Sequence, residues 1–150
     1  MDELEEIATS AEAESELWRD ALLPMHERQL VQIFGSLVSE ELRLGVETIY
    51  EGYLVHYGSP RLFAPADADV ALLLGDYLYA HGLVRVAATG DLDAVAALAE
   101  LISTCAALRA ESAPGDADAW YACARALEPG DTVSRALVER ARAAHARLVG

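Results

Sequence analysis

The hydrophobic positions of this chain repeat with the period of a helix, not with the alternation of a strand. One stripe in the first segment comprises Leu4, Ile7, Ala8, Ala11, Ser15, Trp18 and Leu22. This spacing predicts an amphipathic first helix over residues 2–23, which Pro24 ends. A second helix is predicted to run from Met25 to Val38.

Glycine and proline divide the rest of the chain into five more helical segments. The predicted helices are Glu40–Tyr57, one from an N-cap at Asp67 through Val86, Leu92–Ala110, Asp116–Leu127 and Thr132–Leu148. The predicted turns are Gly58-Ser59-Pro60, Thr89-Gly90-Asp91, Pro114-Gly115 and Glu128-Pro129-Gly130-Asp131. We therefore expect a single all-α domain of about seven helices over residues 1–150, with 116–148 as a C-terminal helical pair. The helix through Val86 is apolar almost all round, which predicts a position in the centre of the bundle.

Composition narrows the classes of partner that the protein can have. The net charge is −14, from 25 acidic residues against 11 basic ones, and every base is arginine. Such a negative field repels the phosphates of nucleic acid and the surface of anionic membranes, so we expect neither as a partner. Cys105 and Cys123 have no metal or redox spacing, and their apolar surroundings predict small buried side chains.

The N-terminus carries seven acidic residues before Arg19, unlike the basic start of a secretory signal. The longest apolar run, Val70–Val84, is interrupted by Asp76 and is shorter than the ~20 residues that span a bilayer. We expect a soluble cytoplasmic protein with no membrane insertion.

Two segments of the chain resemble isoprenyl (polyprenyl) diphosphate synthases. The first, Val46-Glu47-Thr48-Ile49-Tyr50-Glu51-Gly52-Tyr53-Leu54-Val55-His56-Tyr57-Gly58, is similar to that family's VELIHxxSLIHDD helix, which leads into a DDxxD metal motif. The second, Leu74-Gly75-Asp76-Tyr77-Leu78-Tyr79-Ala80, is similar to the family's LxGDYLLA helix. Asp91 to Glu111 resembles the helix that follows. The resemblance covers residues 46–111 and implies a truncated isoprenoid-synthase-like helical bundle.

The resemblance places Tyr57, Gly58 and Arg61 where the family has the three aspartates of its metal motif. In the family, these aspartates hold Mg²⁺ ions that bind and ionise an allylic diphosphate. None of the three residues here is a ligand for Mg²⁺, although Arg61 could hold a diphosphate directly. The family's glycine-lysine-arginine motif has no counterpart, and its second aspartate-rich motif belongs to a part of the fold that we expect this chain to lack. The resemblance thus implies no catalytic residues and no metal in this chain, with Mg²⁺ only in a catalytic partner.

The function implied is a non-catalytic small or regulatory subunit of a heteromeric polyprenyl diphosphate synthase. Such a subunit would pack on the catalytic partner and influence the length of the prenyl chain. The alternative is a stand-alone helical scaffold, or a homodimer that binds an apolar ligand, derived from the same fold. Residual catalysis through unrecognised ligands is a third interpretation.

By the resemblance, six residues are candidates for a position near the cavity or the diphosphate: Gly52, Tyr53, His56, Tyr57, Arg61 and Asp76. Gly52 and Tyr53 occupy positions that limit product length in the family. His56 matches a family histidine, and in an apolar helix it is expected, like His81, to be a hydrogen-bonded core residue. Asp76 lies in a nearly uncharged helix, which predicts a specific hydrogen bond or ion pair, with a solvated position or a functional site as the alternatives.

Two further groups in these helices have competing interpretations. Glu47 and Glu51 lie one turn apart, and we expect them on a solvated face rather than as a pair of catalytic acids. Tyrosines are unusually dense: Tyr50, Tyr53, Tyr57, Tyr77 and Tyr79. They are expected to pack in the core with hydroxyls at its rim, the alternative being an aromatic cavity or a contact face.

Overall fold

The computed structural model describes residues 2–128 and 134–149, which form seven α-helices and no strand. They are α1 (Glu3–Glu14), α2 (Glu16–Ala21), α3 (Glu40–Tyr57), α4 (Ala68–Ala87), α5 (Leu92–Ala110), α6 (Asp116–Leu127) and α7 (Arg135–Val149). Two short 3₁₀ helices, Met25–Glu27 and Phe34–Leu37, lie between α2 and α3. An isolated β-bridge joins Leu22 to Phe63. The predicted all-α class is confirmed.

Several predicted helix ends are confirmed by their capping contacts. Asp67 accepts a hydrogen bond from the backbone N–H of Val70 at 2.9 Å, and Asp91 accepts one from Ala94 at 2.9 Å. Gly90, between α4 and α5, has a φ of +85°, in the left-handed region that glycine enters freely. The predicted turn at Pro129-Gly130-Asp131 lies outside the described residues, as do the first residues predicted for the last helix.

The prediction of one continuous helix over residues 2–23 is wrong, because the helix is interrupted at Ser15. Ser15 has extended backbone, and its Oγ accepts a hydrogen bond from the N–H of Trp18 at 3.1 Å. A serine side chain that caps a new helix competes with continuation of the old one. The break turns α2 so that Trp18 stacks on Tyr77 of α4, with 5.3 Å between ring centroids.

The predicted helix from Met25 to Val38 is also wrong. Its backbone groups bond to side chains and loops of the core instead of to one another. The N–H groups of Ile33 and Gly35 donate to Oε1 of Glu47, at 2.6 and 2.8 Å. The carbonyl of Val31 accepts from Arg61 at 2.8 Å. These contacts occupy groups that a helix would use internally, so the segment is largely irregular.

Helix α3 lies at the centre of the molecule. Residues 45–55 of α3 are all buried. Its buried residues belong to two hydrophobic clusters, one shared with Phe34 and residues of α4, α5, α6 and α7, and the other shared with residues of α1, α2 and α4. The backbones of α3 and α4 approach closely at glycines: a methyl group on Gly82 would lie 3.0 Å from the carbonyl oxygen of Gly45 and 2.5 Å from Ile49 Cγ1. The two helices of the resemblance are therefore joined by direct packing.

Helix α4 does not occupy the central position that was expected of it. One face packs on α3, while Leu72, Leu73 and Val84 on its outer surface are mostly exposed. Helix α4 has 20 residues, which is longer than the apolar run Val70–Val84 in the sequence. Among the described helices, α4 alone is long and apolar enough to cross a membrane. A single such helix does not establish a membrane protein.

Candidate functional site

The centre of the protein contains an arginine between two carboxylates. Arg61 follows the turn after α3, and its Nη1 lies 2.6 Å from Oε2 of Glu47. Its Nε lies 3.0 Å from Oε1 of Glu51. All three side chains have almost no exposed surface. Burial alone would lower the pKa of Arg61, but the two carboxylates outweigh it and the pKa is raised, so the guanidinium stays charged.

This centre corrects two expectations. Glu47 and Glu51 are not on a solvated face, because each carboxylate is enclosed and bonded to Arg61 and to backbone N–H groups. Arg61 is not placed to hold a diphosphate. Its Nη1, Nη2 and Nε donate to Val31, Glu47 and Glu51 inside the core. A guanidinium satisfied in this way holds the loop after α3 in place and meets no ligand.

Gly52 and Tyr53 lie in packed interior rather than beside an open cavity. A methyl group on Gly52 would lie 3.0 Å from the carbonyl oxygen of Gly75 in α4, so the backbones themselves fill this space. Tyr53 has no exposed surface and its ring is 5.8 Å from that of Trp120. The tyrosines Tyr50 and Tyr53 thus pack in the core, as one of the two interpretations expected.

His56, Tyr57 and Asp76 lie at the edge of the α3–α4 contact. His56 Nε2 is 3.1 Å from the carbonyl oxygen of Leu72 and 3.6 Å from Oδ1 of Asp76. Asp76 is largely exposed, which agrees with the solvated position among the expectations. Its carboxylate also forms an ion pair with His56 when that ring is protonated. Tyr57 is half-buried and makes an edge contact with Tyr53. His56 is hydrogen-bonded, as expected. His81, half-buried, has its Nδ1 2.9 Å from the Tyr77 hydroxyl.

A cavity of about 640 Å³ opens between the α5–α6 turn and α7. Its lining is Arg109, Ser112, Ala113, Pro114, Gly115, Asp116, Ala117, His145, Ala146 and Val149. We call it the α5–α7 cavity. Its size is within the range of small-molecule sites in proteins. The sequence signals for it were weak: an arginine before a proline-glycine turn, and a lone histidine in the last helix.

A hydrogen-bond network connects this cavity to α3. Arg109 Nε lies 2.7 Å from Oδ2 of Asp116, and its Nη2 donates to the Tyr53 hydroxyl at 2.9 Å. The same hydroxyl donates to Oδ2 of Asp116. The guanidinium also lies over the ring of Tyr57, 5.1 Å from its centre. Burial, followed by the bond to Asp116, raises the pKa of Tyr53 far above its usual value, so the phenol is neutral.

His145 on α7 enters the aromatic core beside this network. Its Nδ1 lies 2.8 Å from the Tyr50 hydroxyl, and its ring packs against Phe34 and Tyr53. Burial lowers the pKa of His145, which favours the neutral ring. Two buried atoms of α6, Asp116 Oδ1 and Trp120 Nε1, have no partner among the described residues. Buried groups of this kind commonly bind an ordered water.

The outer surface of α4 presents exposed apolar side chains together with two exposed carboxylates, Asp69 and Asp76. Leu72, Leu73 and Val84 are 57%, 55% and 66% exposed, and Ala80 lies between them. At 100° per residue, these four positions fall within about 120° of the helix circumference. We call this surface the α4 face. Leu92, at the start of α5, is 71% exposed.

In the described part of the chain, no group of three or more histidine, cysteine or acidic side chains is placed to hold a metal ion. Cys105 and Cys123 are free thiols, one buried and one half-buried. Burial raises the pKa of Cys105 to about 12 and that of Cys123 to about 11.

Comparisons with known proteins found no matching family model, no matching curated protein and no matching solved structure. The resemblance to isoprenyl diphosphate synthases therefore rests on the residues of α3, α4 and α5 alone.

Proposed function

We propose that this chain is a non-catalytic helical subunit that binds a catalytic partner through the α4 face. The observation that carries the proposal is the exposure of Leu72, Leu73 and Val84 on one side of a helix whose other side is packed. Single exposed leucines are common on protein surfaces, but several on one helix face are typical of an interaction site.

Burial of these side chains supplies a driving force for association. Complete burial of a leucine or valine side chain is worth about 1.5–3 kcal/mol, and each of the three is a little more than half exposed. Covering them would contribute roughly 3–5 kcal/mol, before the costs of association. The α4 face would then be the centre of a larger interface.

Charge favours a basic partner over a second copy of the chain. Asp69 and Asp76 lie on the same side of α4 as the apolar residues, and both are exposed. Two copies meeting face to face would bring these carboxylates together, and each copy carries a net charge of −14. A partner with arginine or lysine around an apolar patch would instead gain from complementary charge.

The resemblance of residues 46–111 suggests which partner this is. We propose the catalytic subunit of a polyprenyl diphosphate synthase in the cytoplasm, a subunit that supplies the Mg²⁺ sites and the chemistry. The small subunit would influence prenyl chain length by covering part of the partner's helical surface. Arg61 stands where the family's metal motif has its third aspartate, and here it is buried and paired with Glu47 and Glu51. This structural role supports a function without catalysis for this chain.

The alternative is a homodimeric scaffold or a carrier of an apolar ligand. Gly52 and Tyr53 lie in a packed interior, which leaves little room for an apolar ligand beside them. The exposed α4 face therefore supports a protein partner better than a bound ligand. A homodimer formed through the α4 face would need to overcome the repulsion described above.

The test is co-expression with a catalytic synthase subunit from the same genome, followed by size-exclusion chromatography and analysis of prenyl product length. We expect co-elution and a change in product length. Leu73→Arg and Val84→Arg should prevent both, because a positive charge is placed in the apolar contact and opposite a basic partner. Met25→Arg is the matched control, since Met25 is 78% exposed and lies outside the α4 face.

Circular dichroism of the variants would establish that they fold. Recovery of homo-oligomers alone, with no effect on product length, would contradict the proposal and favour the scaffold.

A further inference from the structure

We infer that the α5–α7 cavity is a binding site for a small monocarboxylate with an apolar body. The inference rests on the donor groups that line the cavity and on the apolar side chains between them. It does not depend on the α4 face, because the cavity is formed by the α5–α6 turn, the start of α6 and the end of α7.

The first donor is the ring of His145. The Tyr50 hydroxyl has His145 Nδ1 as its hydrogen-bond partner, and a hydroxyl has one hydrogen to donate. In a buried site this hydrogen is satisfied when Nδ1 accepts it, which leaves the proton of the neutral ring on Nε2. His145 is 3% exposed and lines the cavity, and its Nε2 has no partner among the described residues. The Nε2–H group is therefore a donor in the lining of the cavity that a ligand could satisfy.

The second donor is Arg109. Its Nε and Nη2 are held by Asp116 and Tyr53, which fixes the plane of the guanidinium at the wall of the cavity. Nη1 makes no hydrogen bond among the described residues. A guanidinium oriented in this way presents its remaining N–H groups to an oxyanion without a large loss of side-chain entropy.

The start of α6 adds backbone donors. Gly115 is the N-cap of α6 and has no side chain to accept the first N–H groups of the helix. Its φ of +131° also disfavours replacement by a residue with a capping side chain. Gly115 and Ala117 line the cavity, so the first turn of α6 and the positive end of the helix dipole lie at the same wall as Arg109.

The Asp116 carboxylate has no free oxygen on the surface of the cavity, which argues against its use for a cationic ligand. Asp116 Oδ2 is occupied by Arg109 and Tyr53, and Oδ1 is enclosed by protein. The charge of Asp116 is offset by Arg109, so one further negative charge is tolerated more easily than two. The net charge of −14 for the chain strengthens this preference for a monoanion over a phosphate.

The other residues that line the cavity indicate the chemistry of the uncharged part of the ligand. Ala113, Pro114, Ala146 and Val149 contribute apolar surface around the donors. An aliphatic or aromatic carboxylic acid would place its charged group on His145 and Arg109 and its carbon skeleton on these side chains.

The experiment uses the whole protein and measures binding of benzoate and hexanoate by calorimetry near pH 7.5. Benzamide and hexanamide are the neutral controls, and inorganic phosphate is the control for a simple anion. We expect the amides to bind at least about tenfold more weakly, because loss of a charge-assisted hydrogen bond costs roughly 1.5–3 kcal/mol.

Ala146→Leu fills the cavity without changing its polar groups and should weaken benzoate at least about tenfold by steric exclusion. Ala143→Leu is the matched control on the same exposed side of α7, outside the cavity, and should leave the affinity unchanged. The ¹⁵N shifts of the His145 ring should show the proton on Nε2 and should move when benzoate is added.

Each of three results would overturn the inference. One is equal binding of acids and amides, another is phosphate binding as tight as benzoate, and the last is benzoate binding that Ala146→Leu leaves unchanged. Absence of any benzoate or hexanoate binding would likewise overturn it. Ala146 and Ala143 are both exposed, so neither variant is expected to prevent folding.

Discussion

Glu47 and Arg61 form a buried ion pair, with 2.6 Å between Oε2 and Nη1, although 14 residues and the end of α3 separate them. The other oxygen of Glu47 accepts the N–H groups of Ile33 and Gly35. One carboxylate thus organises both the loop after α3 and the segment before it. Because the charges are enclosed, the pair is satisfied only when both segments are in place.

Removal of one partner from this centre should destabilise the protein strongly. We expect Glu47→Gln to lower the free energy of unfolding by about 2–4 kcal/mol. Glu51 still compensates the charge of Arg61, but the amide NH2 of glutamine must face either Arg61 or the N–H groups of Ile33 and Gly35, which leaves buried donors without an acceptor. The measurement is urea denaturation followed by circular dichroism. Glu41→Gln is the matched control on the same helix, since Glu41 is exposed. A loss for Glu47→Gln no larger than for Glu41→Gln would show that the buried pair contributes little.

The helix boundaries could be predicted because their signals are local. Asp67 and Asp91 cap the helices that follow them, and Gly90 takes the positive φ that its residue type allows. Such preferences depend on a few neighbouring residues. The same local reasoning missed the break at Ser15, since a serine within an apolar stripe is also compatible with a continuous helix.

The buried charges could not be predicted, because their partners are distant in the sequence. A pair of glutamates four residues apart is typical of a solvated helix face, and nothing local to Glu47 or Glu51 indicates Arg61. The segment 25–38 was misassigned for the same reason, since its backbone bonds to the side chains of α3 and of Arg61. Hydrophobicity likewise identified α4 as a helix without showing that its outer face is uncovered.

The close contact of α3 and α4 leads to a prediction at Gly82. Alanine has the higher helix propensity and would stabilise an exposed helix by about 1 kcal/mol relative to glycine. At this site we expect Gly82→Ala to destabilise by about 1–3 kcal/mol, because its methyl group would press on Ile49 and on the carbonyl oxygen of Gly45.

Thermal or urea unfolding shows directly whether Gly82→Ala raises or lowers the stability. Ala80→Gly, at an exposed position of the same helix, is the control for propensity and should cost about 1 kcal/mol. An increase in stability for Gly82→Ala would mean that the two helices can separate without loss of packing.

Protonation of His145 predicts a dependence of stability on pH. Burial lowers the pKa of His145 below its ordinary value of 6.5, an effect that Asp116 opposes and that Arg109 and Arg142 reinforce. The unfolded chain therefore binds more protons in the window just below pH 6.5. The contribution of His145 is fully present above that pH and decreases as the pH falls through the window.

Urea unfolding between pH 5 and 8 measures this dependence. His145→Phe should reduce the change in the free energy of unfolding with pH below pH 6.5. His26→Gln, at a largely exposed histidine, should leave that slope unchanged. The pKa of His81 is also lowered, by burial and by Arg85, so part of the slope should remain in His145→Phe. An unaltered slope in His145→Phe would assign the pH dependence to other groups.

The two cysteines should react slowly in the folded protein. Burial raises the pKa of Cys123 from 9.0 to about 11, which lowers the thiolate fraction at pH 8 by roughly 100-fold, and the thiolate is the reactive form. Cys105 is fully buried and its pKa is raised to about 12, so we expect it to react after Cys123. The measurement is the rate of reaction with an aromatic disulfide reagent at pH 8, native and in urea, with Cys123→Ser to assign the phases. Native rates equal to those in urea would mean that the helices α5 and α6 open readily around both thiols.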